Sequence, residues 1–326
     1  MTRAAAEGAA PIDTLTFSSN LHLARDGRDV RRIAARLAAV DVVHAHRGKE
    51  HWLAAIANRL ARTPRPLVRT RHIVRPVRPH AGNRWLYQRA TARVIAVTES
   101  IRQQYIASGL LGPERVITLT GGVNTESYQP DIPAANLRVR LGVPAGAVLV
   151  GLVGGLRSMK GHHVVLGALD RLRAIGQGPP VVFVGRGPME GALREALRGA
   201  GLESQVTLLG FAGDLPATMA ALDIALYVPL ESEGMSRVLF EYLAAGRTIV
   251  ASRVGVVPEV LVDGEAALLV SAGDPGALAD ALGRLLGDPA LRVRLATNAR
   301  RLAETRYSSR AVAARLAEIY GSLVAH

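Results

Sequence analysis

Two glutamates, Glu233 and Glu241, bracket a turn of small residues, Gly234-Met235-Ser236, which opens a helical pattern that closes at Gly246. An apolar run over residues 224–228 leads into this stretch and stops at Pro229, as a buried parallel strand does. Ser236 fits the N-cap of the helix and Gly246 its C′ position. A strand, a tight turn and a helix start present free amides and the positive end of the helix dipole, which suits an anion. The two carboxylates have seven residues between them. One stands in the loop and the other a turn and a half into the helix, so they face different groups and do not suit a catalytic pair across one glycosidic bond. As hydroxyl acceptors flanking a phosphate they describe a site for a sugar nucleotide. Taken alone the pair would read as solvated helix acids, but the strand–turn–helix setting argues for binding.

A second anion loop lies upstream. Gly154-Gly155-Leu156-Arg157-Ser158-Met159-Lys160-Gly161 joins a strand pattern over 147–153 to a helix starting near 163. Arg157 and Lys160 put two cations beside free amides, as a diphosphate requires, and Lys160 is one of only two lysines in an arginine-rich chain. Neither the G-x-x-x-x-G-K-[ST] phosphate loop nor the G-x-G-x-x-G dinucleotide spacing occurs there. Gly185 and Phe211 follow two further apolar runs, 181–184 and 206–209, and so also stand at strand ends. His44 and His46 alternate on a strand over 41–46. Of the two, His44 is expected to be packed, and His46, nearer the strand's C-terminal end, to meet a ligand. The histidines have no acidic partner at metal-ligand spacing and no D-x-D occurs, so neither a metal nor a resident cofactor is expected.

The elements that must position these residues alternate strand with helix, which implies parallel, doubly wound α/β sheets with ligands at the strand C-termini. The 326 residues suffice for two domains. The reading places an irregular leader over 1–11 and a strand over 12–17, then helices over 30–37, 52–61 and 85–92. The N-terminal domain runs over 1–130, a proline-spaced linker over 131–145 and a second α/β domain over 146–307, with a last helix over 308–326. There is no cysteine, so neither a disulfide framework nor a thiolate site is available; with no apolar run long enough to span a membrane and no signal-peptide core, the expected location is cytoplasmic.

The net charge of +13 is concentrated: residues 1–130 carry 20 basic and 9 acidic residues. Ten arginines, from Arg59 to Arg93, fall between Glu50 and Glu99 with no acid among them. Such a face suits an anionic glycan, a phosphorylated acceptor or the anionic inner surface of a membrane, and a solvated arginine-biased surface is the alternative. Nucleic acid is not expected, because no recognition motif accompanies the charge.

In this order, Gly155-Leu156-Arg157-Ser158-Met159-Lys160-Gly161, Glu233-Gly234-Met235-Ser236 through Glu241, Ala244-Ala245-Gly246, Val257-Pro258-Glu259 and Gly273-Asp274-Pro275 resemble the retaining GT-B glycosyltransferases, specifically glycosyltransferase family 4. The resemblance runs over most of the chain, from about residue 40 to 320. It implies two Rossmann-like domains facing a cleft, a UDP- or GDP-linked sugar donor on the second domain, and a glycan or lipid-linked acceptor on the first. The last helix would cross back to the first domain. Arg157 and Lys160 would bind the diphosphate, and Gly234, Met235 and Ser236 would offer amides to the phosphate or sugar. Glu233 would hold the sugar hydroxyls and Glu241 the ribose, with His46 beside the sugar. Gly155 occupies the position of the family's usual arginine, so Arg157 would stand in for it. The family's first strand and glycine-rich acceptor loop have no counterpart here. The N-terminal sheet is therefore expected to be reduced and covered by another chain, such as a second copy. A partner-dependent subunit that binds nucleotide sugar without catalysis is the alternative reading.

Overall fold

A computed structural model describes residues 22–133, 135–144 and 146–324; the expected leader over 1–11 and strand over 12–17 lie outside them. Contacts divide the chain into two units, Met1–Thr118 with Ala317–His326, and Leu119–Leu316.

The first unit holds a parallel sheet of β1 (Val43–Ala45), β2 (Leu67–Arg71), β3 (Arg93–Ala96) and β4 (Val116–Thr118), in that order. Helix α1 (Leu23–Arg36) packs on α2 (Gly48–Leu60) through Val30, Ile33, Leu53 and Ala57. Both begin earlier than apolar periodicity suggests, because polar contacts hold their first turns. Asp26 accepts a hydrogen bond from the His22 backbone N–H at 3.1 Å and pairs with Lys49 at 2.7 Å. Glu50 accepts from the backbone N–H groups of Arg47 and His46 at 3.0 and 3.3 Å. A short helical turn, Ala81–Arg84, continues into a wide π-helical turn, Trp85–Ala90, where the sequence suggests one helix over 85–92. Helix α3 (Glu99–Ala107) starts on a Thr98 cap that accepts from Ile101 N–H.

The second unit is a six-stranded parallel sheet in the order β10-β9-β8-β5-β6-β7. Its strands are β5 (Val150–Val153), β6 (Val181–Val184), β7 (Val206–Gly210), β8 (Ile224–Tyr227), β9 (Thr248–Ser252) and β10 (Leu268–Val270). They read as unbroken apolar runs because both faces are covered. Val150, Leu152, Phe183, Ile224 and Leu226 pack beneath α4 (His162–Ala174), α5 (Glu190–Ala200) and α7 (Pro275–Gly287). Val153, Val182, Ala225 and Tyr227 alternate to the other face, under α6 (Arg237–Ala244) and the end of α8 (Pro289–Leu302). The last helix, α9, spans Ser309–Val324.

The chain lays β6 and β7 on one side of β5, then returns to place β8 on the other. Loops after β5 and β8 therefore diverge from neighbouring strand ends, which is the crevice where doubly wound sheets bind ligands. Two glycines let the backbones close in there. A Cβ on Gly161, whose φ is 75°, would lie 2.0 Å from the Val228 carbonyl oxygen, and one on Gly185 would lie 1.9 Å from that of Gly154.

Candidate functional site

Because β5 and β8 are hydrogen-bonded neighbours, residues far apart in sequence meet at their ends. Lys160 closes a single helical turn, Ser158–Lys160, after β5, and Glu233 lies in the loop after β8. The lysine Nζ stands 2.7 Å from both carboxylate oxygens of Glu233, and both side chains are largely buried. Tyr227, the last residue of β8, donates its hydroxyl to Glu233 at 3.3 Å. Burial raises the Tyr227 pKa above the usual phenol value, the hydroxyl also meets Ser236, and the negative charge of Glu233 adds to the rise. Tyr227 thus links the carboxylate to the helix cap.

Ser236 is the N-cap of α6 and its side chain caps none of the helix amides, which leaves the first turn open to an anion. Gly234 adopts φ 75°, the left-handed conformation that turns the loop into the helix, and its N–H donates to Ser232 Oγ at 3.3 Å. Met235 packs back on the same unit, its sulfur accepting from Gly121 N–H at 2.9 Å. Gly246 follows α6 with φ 59°, as a C′ glycine does.

Glu241 lies in the second turn of α6 and is buried. Burial raises its pKa, while a hydrogen bond from Tyr128 and the Arg237 guanidinium, 3.9 Å away, work in the opposite direction. Arg157 is exposed beside the β5 loop. A Cβ built on Gly155 would lie 3.7 Å from Arg157 Nε, so the Arg157 side chain crosses the space into which a side chain at 155 would grow. Gly185 is glycine for close packing on Gly154, as described above. Phe211, directly after β7, is 76% exposed.

The structure brings together Lys160, Glu233, Gly234 and Ser236 at one crevice, with Gly155 and Arg157 on the same loop as Lys160. Sequence reasoning missed Tyr227 and Tyr128, the partners of the two glutamates. It also missed Arg186, which follows Gly185 at the end of β6 and accepts at its carbonyl from Leu156 N–H at 3.1 Å. Arg186 was legible as a cation at a strand end; the two tyrosines looked like core aromatics.

His46 belongs to the first unit, just beyond β1, where it is exposed and its Nδ1 lies 3.2 Å from His72 Nε2. His44 is the packed member of the pair, stacked on His46 at 4.3 Å and hydrogen-bonded to Thr70 Oγ1 at 2.7 Å and to the Tyr320 hydroxyl. Burial, then the positive potential of His46, Arg69 and His72, lowers the His44 pKa to about 4. Among the described residues no group of three or more His, Asp or Glu side chains is placed to hold a metal, and no helix is long and apolar enough to cross a membrane.

Comparison with known proteins matches residues 147–288 to a family model described as glycosyl transferases group 1 and residues 5–127 to one described as glycosyltransferase family 4. A D-inositol 3-phosphate glycosyltransferase of Corynebacterium glutamicum is 30% identical over 314 residues, covering 88% of this chain and 73% of that protein. An alpha-D-kanosaminyltransferase of Streptomyces kanamyceticus is 30% identical over 235 residues, covering 71% and 61%. Among the curated relatives it matches, a second D-inositol 3-phosphate glycosyltransferase of Corynebacterium urealyticum included, the chain spans from 51% to 73% of their length. The crystal structure of Anabaena HepE in complex with UDP superposes with TM-score 0.78 at 26% identity, over 90% of this chain and 82% of that one. A glycosyltransferase of Rickettsia africae, at 19% identity and TM-score 0.86 over 99% and 87% of the two chains, shares the fold.

Proposed function

The chain belongs to glycosyltransferase family 4, and from that premise we propose that it transfers a sugar, with retention and without a metal, from a UDP- or GDP-linked donor to an anionic glycan or lipid-linked acceptor. Its two parallel sheets are the Rossmann-like domains of a GT-B enzyme. The observation that carries the donor reading is the Lys160–Glu233 pair at the β5/β8 switch point, beside the uncapped start of α6. Of the two bases uridine has the added support of the UDP complex of HepE.

Lys160 and Arg157 hold the diphosphate, and the amides at Gly234, Met235 and Ser236 face phosphate or sugar. Glu233 accepts hydroxyls of the transferred sugar and, through its ion pair, aims Lys160. Glu241 accepts the ribose hydroxyls, Phe211 and Gly185 border the nucleoside, and His46 stands beside the sugar. In the reaction the bond from the anomeric carbon to the diphosphate oxygen breaks as the acceptor oxygen bonds to the same face of that carbon. The acceptor's proton passes to the departing diphosphate oxygen. Charge grows on the diphosphate, where a fixed cation and oriented amides stabilise it most.

The donor reading is tested by calorimetry with UDP and GDP and by product analysis with the matching nucleotide sugars. Binding of one nucleotide, with transfer lost in Lys160→Ala and Glu233→Ala, is the expected result. Binding without turnover would favour a partner-dependent subunit, and no binding of either nucleotide would sink the proposal. Contact of the arginine-rich first unit with an anionic inner membrane surface, and pairing with a second copy, remain part of the same proposal.

A further inference from the structure

The first unit contains a concentration of positive charge that the donor site does not use. Strand β2 sends Arg69 and Arg71 to one face and Thr70 to the other, where Thr70 bonds His44. Arg69 is 2% exposed, the largest fully buried side chain among the described residues. It sits opposite the small residue Ala45 in the sheet register, which leaves it room. One end of its guanidinium meets the Tyr87 hydroxyl, but Nε and Nη1 have no hydrogen-bond partner. A buried cation without a counter-charge is costly, and structures normally pair it.

In front of Arg69, at the C-terminal end of β2, lies a pocket of about 450 Å³ lined by His51 and Trp52 of α2, by Tyr87, and by Arg71, Arg75 and Arg78. All of these residues belong to the first unit. The Arg71 guanidinium donates to the Arg75 carbonyl at 2.6 Å, and Asn83 Nδ2 donates to the Arg78 carbonyl at 2.8 Å. These bonds hold the loop so that its arginines line the pocket. None of the three guanidiniums pairs with a carboxylate among the described residues, and the sequence from 51 to 98 contains no acid that could reach them. Glu50, the acid just before it, is turned to the backbone of His46 and Arg47 and lies 3.9 Å from the Arg47 guanidinium. His51 in the pocket wall lies in the same field: burial lowers its pKa, and Arg69 lowers it further.

Three arginines around one cavity, with a fixed buried charge behind its wall, make a receptor for a group with more than one negative oxygen. Guanidinium forks match phosphate oxygens in pairs. Trp52 and Tyr87 supply flat apolar walls of the kind that bound small-molecule pockets. We propose that this pocket binds the phosphate group of a phosphorylated acceptor, held by Arg71, Arg75 and Arg78. The proposal rests on the glycosyltransferase reading in naming the ligand an acceptor; the phosphate site itself rests on the first unit alone. The phosphate belongs either to a soluble sugar phosphate or to a lipid headgroup.

The test uses the full chain at constant ionic strength, with glucose 1-phosphate, glucose and inorganic phosphate as probes in calorimetry. Glucose 1-phosphate is expected to bind at least tenfold more tightly than glucose. Arg75→Gln with Arg78→Gln, both exposed positions that leave the core intact, should weaken it at least tenfold. Inorganic phosphate also fits the donor loop, so Lys160→Ala is the control: it should leave glucose 1-phosphate binding within about twofold. Loss in Lys160→Ala with retention in the double variant would overturn the proposal. For the lipid source, flotation with phosphatidylcholine vesicles, with and without phosphatidic acid, is compared for the same variants. Arg75- and Arg78-dependent binding of either probe supports the pocket and names the source. Binding of neither, or an equal loss of flotation on replacing Arg59 and Arg62 outside the pocket, overturns it. UDP binding reports on the donor site separately, so a failure of the donor reading is distinguishable from a failure of this one.

Discussion

At the strand ends of the second unit a largely buried lysine, Lys160, stands 2.7 Å from the carboxylate of Glu233, which also accepts from Tyr227. At those of the first unit a buried arginine, Arg69, has two unpartnered nitrogens, and three more arginines line the pocket in front of it. Both units are parallel α/β sheets presenting loops at the C-terminal edge, so topology does not account for the contrast. The second unit carries its own counter-charge and can hold Lys160 in place before a ligand arrives. The first leaves Arg69, Arg71, Arg75 and Arg78 without a carboxylate partner among the described residues, so their positive potential is available to an incoming anion.

The largest effects should come from breaking the matched pair. Lys160→Ala is expected to lower kcat for transfer by about 10²–10³, the typical loss when one preorganised donor to a developing oxyanion is removed. It also leaves Glu233 with Tyr227 as its one remaining partner among the described residues, so the variant should be less stable. Glu233→Gln keeps a hydrogen-bond acceptor for Lys160 and should cost less than Glu233→Ala. Steady-state kinetics with thermal melts on the single and double variants measure the coupling. Strictly additive losses would mean that the two side chains act independently.

Next in size are the glycines that bring the loops together. Gly185→Ala would put a methyl 1.9 Å from the Gly154 carbonyl, and backbone must move to relieve it. A loss of about 1–3 kcal/mol in denaturant unfolding is expected, as for an overpacked core. A shift in the β5 loop that carries Arg157 and Lys160 should then weaken nucleotide binding even though the alanine touches no ligand. Unchanged stability and unchanged affinity together would show that the loop has room to give.

The same glycine shows how far sequence carries. The strand runs, the helix start at Ser236 and the placing of Lys160, Glu233 and Glu241 at strand and helix ends were legible because each depends on local pattern. Gly185 as a packing residue was not, since its reason is the carbonyl of Gly154 on the neighbouring strand's loop. Tyr227 and Tyr128 were hidden for a like cause: their hydroxyls find Glu233 and Glu241 only after folding. The early starts of α1 and α2 escaped apolar periodicity because Asp26 and Glu50 set them through polar contacts. The burial of Arg69 is the furthest from sequence, since an arginine in an arginine-rich segment reads as surface.

On the unmatched side, Arg69→Met should be neutral to stabilising by about 1–2 kcal/mol in the absence of ligand, because a hydrophobe of similar length removes an uncompensated buried charge. The matched pair predicts the opposite for Lys160→Met, which strands a carboxylate. Chemical unfolding of the two variants side by side is the cleanest measure of the contrast. A clear destabilisation by Arg69→Met would mean that its bond to Tyr87 outweighs the buried charge, and the two regions would then be less different than their contacts suggest.

The smallest effect is the part that Arg69 adds to the acid response. Burial lowers the pKa of His51 to about 3, and of His44 and His162 to about 4, with Arg69 adding to the shift at the two in the first unit. Each folded value lies below that of the unfolded chain, near 6.5. As pH falls below 6.5 the unfolded state takes up protons that the folded state refuses. Stability is therefore full above that pH and is lost progressively down to about 4, and further toward 3 for His51. Melting temperature measured from pH 7 to pH 4 should fall steadily from this source. His51→Gln keeps a polar side chain facing Thr91 and should flatten the fall. Arg69→Met should flatten it slightly as well, because it removes positive potential from His44 and His51 while leaving His162 of the second unit untouched. If the acid response of Arg69→Met matched that of the parent chain in slope, burial alone would govern these histidines and the field of Arg69 would not reach them.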